Sequence, residues 1–205
     1  VASDIGTTGS PSEVAIYFSD GRNNWKYEYQ ISLHKLTTKE QAYVFDWLYR
    51  TLNGCFIALD HSNADGRAIS ERLVTEYKIP KNQVSDFWMQ KNIEIGFVKD
   101  ENGKVIKDPK TKKPIIKEEY TKSWAVQQLE KIFYESMLEV PLDEKFLDQF
   151  SNHYEKISAG GRPTWGSSSD EHLVDTFLLF ALCVWEIEFK VQETVIPKTR
   201  SIGII

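Results

Sequence analysis

Residues 55–73 read CFIALDHSNADGRAISERL. Residues 55–59 are apolar without alternation, which suits a strand covered on both faces, as parallel strands are. That strand ends on Asp60. Residues 61–66 (His61, Ser62, Asn63, Ala64, Asp65, Gly66) follow as a polar loop, and residues 67–77 carry a helical pattern for which Asp65 is the expected cap. A strand, a turn and a helix in this order are part of an alternating α/β unit.

Upstream, the Thr38–Gln41 spacing fits a capping box. Ala42, Phe45, Trp47, Leu48 and Leu52 then recur at roughly helical intervals before an Asn53–Gly54 stop. Residues 1–5 and 14–18 have strand character, and residues 25–33 alternate, with Trp25, Tyr27, Tyr29, Ile31 and Leu33 expected on one face. Residues 19–24 supply turn chemistry between the last two of these runs. Downstream, residues 93–117 are expected to form a fifth core strand that runs into an inserted β-ribbon folded at a two-residue Asn102–Gly103 turn. The ribbon carries Lys99, Lys104, Lys107, Lys110, Lys112, Lys113 and Lys117. Helices are expected over 121–138 and 142–157, then a loop over 159–169, then a long helix over 170–188. The whole order, three strands, helix, strand, helix, strand, insertion and closing helices, fits an α/β ribonuclease H-like mixed sheet flanked by helices.

A chain of 205 residues that is 41% hydrophobic buries one substantial core, so a single domain over 1–205 with one hairpin insertion is expected. The longest apolar run, 177–185, is too short to span a bilayer, so no membrane partner is expected. Cys55 and Cys183 lie inside apolar segments and read as reduced thiols of an intracellular protein. A net charge of -5 argues against wholesale coating of a polyanion and leaves local basic patches open. The chain opens on Val1 at a core strand, so it is expected to be a segment of a longer polypeptide.

Asp4 lies near the end of the first expected strand and is followed by IGTTGS, letters that suit a phosphate cradle, a metal site or a plain hairpin turn. Taken alone, Asp4 and Asp60 are each loop-starting caps. At the ends of neighbouring strands they would repel one another and call for a cation or a shared proton. The third element is residues 167–185, SSSDEHLVDTFLLFALCVW. Glu171, His172 and Asp175 share one side of its first turns, while Asp170 stands at the helix start, where capping is the plain reading. A helix apolar enough to pack on the sheet would deliver His172 and Asp175 to the edge holding Asp4 and Asp60. Carboxylates with one histidine suit Mg²⁺ or Mn²⁺, and two such ions support phosphodiester hydrolysis.

The stretches ALDHSNADGRAISERL and DEHLVDTFLLFAL resemble the nuclease domain of tailed-bacteriophage large terminase subunits, which is similar to RuvC-type resolvases. The resemblance runs from Asp4 to the final helix. It implies a metal-dependent endonuclease that cuts double-stranded viral DNA concatemers during genome packaging with two Mg²⁺ or Mn²⁺ ions. It implies Asp4, Asp60, His172 and Asp175 as the catalytic and metal-holding set, with Asp170 or Glu171 assisting. It also implies that the lysine ribbon, with Lys104, Lys107, Lys110, Lys112 and Lys113, is a DNA-contacting hairpin, although a lysine-bearing hairpin is equally ordinary edge protection. The implied partners are a terminase ATPase domain, the small terminase subunit and the portal, in the host cell cytoplasm.

Arg67, Arg162 and Lys122 are candidate phosphate contacts by proximity to these motifs. Trp88, Trp124 and Trp165 could stack on bases, with core packing as their default. His61 reads as a loop residue, and His34 and His153 have no clustering that supports a site. Residues 161–168 have P-loop glycine spacing but serine in place of the essential lysine. Three other functions stay open: a RuvC-like resolvase cutting branched DNA, an actin-like or sugar-kinase nucleotide-binding fragment, and a catalytically silent binding module.

Overall fold

The computed structural model describes residues 1–6, 10–22, 24–141, 144–157, 163–167 and 173–195. A six-stranded mixed sheet forms its centre. It contains β1 (Ala2–Asp4), β2 (Ser12–Ser19), β3 (Trp25–Leu33), β4 (Ile57–Asp60), β5 (Val84–Phe87) and β8 (Leu138–Glu139), in the order β5-β4-β1-β2-β3-β8. β1, β2 and β3 form the expected antiparallel meander, and β4 lies parallel between β1 and β5.

Alternation along the strands sorts their side chains between two apolar layers. Val14, Ile16, Ile57 and Leu59 join Ala42, Phe45 and Leu48 of α1 (Thr38–Thr51) and Ile69 and Leu73 of α2 (Ala64–Thr75) on one face. Ala2, Ala15 and Ala58 face the other way. They pack with α3 (Thr121–Tyr134), with Phe146 of α4 (Glu144–Ser151), and with residues 173–184 of α5 (Leu173–Val195). Three alanines in adjacent strands leave room for the bulky flank of α5, which carries Phe177, Leu178 and Phe180. Strand parity puts Asp4 on the same face as Ala2, and Asp60 on the same face as Ala58. Both aspartates therefore belong to the α5 side.

Several expectations are corrected. Residues 25–33 do not present one face, because a β-bulge shifts the register between Ile16↔Tyr29 and Tyr17↔Tyr27. One extra residue inverts the alternation, so Trp25 and Tyr27 pack on the α5 side while Ile31 and Leu33 pack on the α1 side. The capping box sits one residue earlier than expected: Thr37 Oγ1 accepts from the Glu40 N–H, and Glu40 accepts from the Thr37 N–H at 2.8 Å. Gln41 instead accepts from the Ser12 hydroxyl at 2.8 Å and so braces β2. α2 begins earlier than expected, at Ala64, capped by Asn63 rather than Asp65.

The fifth core strand is β5. The ribbon strands β6 (Asn92–Phe97) and β7 (Ile116–Tyr120) form a two-stranded sheet of their own. At the tip, Gly103 N–H donates to the Asp100 carbonyl and Asp100 N–H to the Lys104 carbonyl, both at 2.9 Å, with Gly103 at φ +78°. This is a three-residue loop closed by a left-handed glycine, longer than the expected two-residue turn. α3 and α4 end before the expected 138 and 157. β8 and β9 (His153–Ile157) take up the difference, and β10 (Pro163–Ser167) pairs antiparallel with β9 inside the stretch expected to be loop. α5 continues past the expected 188. Neither Cys55 nor Cys183 is in a disulfide among the described residues. Among the described residues no helix is long and apolar enough to cross a membrane.

Candidate active site

β1 and β4 run parallel in the register Ala2↔Ala58 and Ser3↔Leu59, which brings the next pair, Asp4 and Asp60, to the same edge of adjacent strands. Such strands lie about 4.8 Å apart. α5 crosses this edge with Asp175 in its first turn. Asp4, Asp60 and Asp175 line one pocket of ≈ 280 Å³, together with Gly6, Ser10, Ser62, Gln90 and Lys122. The juxtaposition expected of these three acids is therefore present.

Local chemistry fixes the edge. Ser62 N–H donates to Asp60 Oδ1 at 2.7 Å, and His61 N–H donates to the Phe87 carbonyl at 2.8 Å, which ties the end of β4 to β5. Asn63 accepts from the Gly66 N–H and donates its amide to the Ile5 carbonyl, both at 2.7 Å. One side chain thus caps α2 and holds the loop after Asp4. Gly66 is required by closeness: a Cβ there would lie 2.0 Å from the Asp60 carbonyl oxygen. Burial pushes the Asp60 carboxyl above the usual carboxylate range against the hydrogen bonds from Ser62, and the charge of Asp175 adds to the shift.

Lys122 enters the pocket from the first turn of α3 and pairs with Asp175, Nζ to Oδ1 at 2.9 Å. His153 also belongs to this neighbourhood. Burial lowers its pKa, Asp175 opposes that shift and Lys122 reinforces it. Its position comes from β9, far from Asp60 in sequence, so no local pattern marks it. Among the described residues no group of three or more His, Cys, Asp or Glu side chains is drawn together as a metal-holding cluster. The donor chemistry, three carboxylates around a half-enclosed pocket, nevertheless fits a hard divalent cation.

Beside the pocket, Trp88 lies under two cations. Lys91 Nζ is 3.2 Å and Arg67 Cζ 5.5 Å from its ring centroid, and the His61 ring is 5.3 Å away. Arg67 is thus placed on an exposed cationic shelf next to Asp60, and His61 is half-buried against Trp88 rather than loose in a loop. Trp124 packs edge-on against Trp185, its default role. Lys104, Lys107, Lys110, Lys112 and Lys113 are exposed on the ribbon. The expected contributions of Asp170, Glu171, His172 and Arg162, and the stacking of Trp165, fall on positions outside the described residues or side chains. The P-loop spacing over 161–168 includes strand β10, whose pairing with β9 is unlike a phosphate-cradling loop before a helix.

No protein-family model matches the sequence, and neither does any curated protein. Solved structures do match. The large terminase nuclease from thermophilic phage G20c aligns over 87% of this chain and 77% of its own, with a TM-score of 0.57 at 14% identity. The same nuclease with bound magnesium aligns over 88% and 78%, with a TM-score of 0.59 at 15% identity. The fold is that of a large terminase nuclease domain. A looser match to the g2p (large terminase) nuclease domain of bacteriophage SPP1 with bound Mn has a TM-score of 0.44 at 17% identity over 89% and 84%, too distant to carry weight. The expected ribonuclease H-like architecture, a mixed sheet flanked by helices, is thereby found over most of the chain.

Proposed function

We propose that this chain is a Mg²⁺- or Mn²⁺-dependent endonuclease that cuts double-stranded viral DNA concatemers during genome packaging. The observation that carries this reading is the convergence of Asp4 and Asp60, from adjacent parallel strand ends, with Asp175 of α5 in one pocket. The fold it shares with a magnesium-bound terminase nuclease supports the same reading. Asp4, Asp60 and Asp175 would hold the ions, with His172 and either Asp170 or Glu171 as further candidates from the sequence. Two divalent ions held this way would supply an activated water and a counter-charge for the leaving 3′ oxygen.

The remaining work falls to the chain's own groups. Ser62 N–H fixes one oxygen of Asp60, and Asn63 keeps the loops after Asp4 and Asp60 in register. Arg67 and Lys91, both packed on Trp88, offer positive charge beside the pocket, chemistry that receives a DNA backbone. The ribbon lysines would extend that contact along the duplex. The partners proposed with this reading are double-stranded DNA, a terminase ATPase domain, the small terminase subunit and the portal, in the host cytoplasm.

Plasmid cleavage tests the proposal. The protein should convert supercoiled DNA to nicked and linear forms with Mn²⁺ or Mg²⁺ and stop on addition of chelator. Asp60→Ala should abolish cutting, and undiminished cleavage by that variant would overturn the site. Preference for a four-way junction over linear duplex would favour the resolvase reading instead.

A further inference from the structure

Lys122 is an odd residue to find where it stands. It lies in the first turn of α3, whose N-cap, Tyr120, makes no side-chain cap and whose first turn holds no acid. A cation there opposes the helix macrodipole. Its side chain is only 18% exposed, yet it reaches into the acid pocket and engages Asp175 at 2.9 Å, itself 26% exposed. Its charge also acts on Asp60, favouring the ionised carboxylate, and on His153. The backbone that carries it is fixed: the buried Thr121 donates both its N–H and its hydroxyl to the Lys91 carbonyl, each at 2.8 Å, at the root of the ribbon where Asn92 pairs with Tyr120.

We propose that Lys122 is the pocket's built-in counter-cation, competing with a divalent ion for Asp175 and leaving that carboxylate only when the ion displaces it. The proposal rests on the nuclease reading above. Three carboxylates in one pocket repel each other, and an ammonium among them stabilises the set at the expense of metal affinity. Lys122 is then a positioning residue, acting on the metal through Asp175. A lysine that merely tied α3 to α5 would leave metal affinity unchanged or lower it when removed.

Calorimetric titration of the chain with Mn²⁺, without DNA, separates these roles. Lys122→Ala and Lys122→Gln should each bind Mn²⁺ about two- to fivefold more tightly than wild type, the scale of a partly screened ion pair. Lys122→Arg, which keeps the charge, should stay near wild type, and Asp60→Asn should lose binding in either background. The glutamine variant guards against misfolding of the alanine one, and thermal melting reports on both. Unchanged or weaker affinity in both folded variants, with wild-type binding intact, would overturn the counter-cation while leaving the nuclease reading standing. No Mn²⁺ binding by wild type or by either variant would overturn the nuclease reading itself, and the counter-cation with it. Binding by the Lys122 variants but not by wild type would support the counter-cation in its strongest form.

Discussion

At the scale of the residue, the pocket depends on one close approach and one desolvated acid. A methyl group at position 66 would sit 2.0 Å from the Asp60 carbonyl oxygen, so Gly66→Ala must push α2 away from the end of β4. The expected loss is about 2–3 kcal/mol by urea denaturation. Asp60 titrates in the direction opposite to a stabilising ion pair. Because burial raises its folded pKa above the unfolded value, the native state holds more protons than the unfolded one between those two values, and stability falls as pH rises through that window. Asp60→Asn should therefore melt higher than wild type at pH 7 and coincide with it below the ordinary carboxylate pKa. A lower melting temperature than wild type at pH 7 would show that Asp60 stabilises the fold as an ionised partner. Asp4, Asp60 and Asp175 were legible in the sequence because each ends a strand or opens a helix, positions that local pattern reveals. Lys122 was visible only as a candidate phosphate contact and His153 not as a site residue at all, since their relation to Asp175 arises from long-range packing of α3, β9 and α5.

At the scale of the element, the ribbon is the clearest separable part. Among the described residues its strands pair only with each other, and its lysines stand in solvent. Replacing Lys104, Lys107, Lys110, Lys112 and Lys113 together by alanine should leave the melting temperature unchanged. The same change should weaken binding of linear duplex DNA at least about tenfold in moderate salt. For every lysine among them that neutralises a phosphate, the dependence of log affinity on log salt should also flatten by about 0.9. Fluorescence anisotropy across a salt series measures both, and an unchanged slope would make the lysines edge protection only. The long helices α1, α3 and α5 were readable from their periodicity, whereas β5, β8, β9 and β10 were not. None of these four carries the unbroken apolar run that marked β4, and what defines them is the partner strand. The bulge in the pairing of β2 with β3 was hidden for a related reason: continued alternation in the letters gives no sign that one residue has been skipped.

At the scale of the whole molecule, strand order decides the site: the apolar, unalternating 57–59 marked a strand covered on both faces, and the structure places it beside β1. That arrangement makes α5 both the largest contributor to one core and the carrier of Asp175. The two roles are coupled two residues apart. Phe177 is fully buried and meets the rings of Tyr17, Tyr27, Phe146 and Phe150 at centroid distances of 5.4, 5.1, 5.4 and 5.1 Å. Its contacts bind β2, β3 and α4 to the turn of α5 that bears the acid. Phe177→Ala should cost about 3–5 kcal/mol by chemical denaturation, since four rings cannot close over the space left behind. Phe177→Leu should cost less, because it retains most of the apolar volume. If α5 positions Asp175 through this packing, Mn²⁺ affinity should fall in the same order, alanine below leucine below wild type, at temperatures where all three remain folded. Equal Mn²⁺ affinity in the three proteins would mean that the helix start is held by the Lys122 pair and the sheet edge alone, and that the aromatic core serves stability without setting the site.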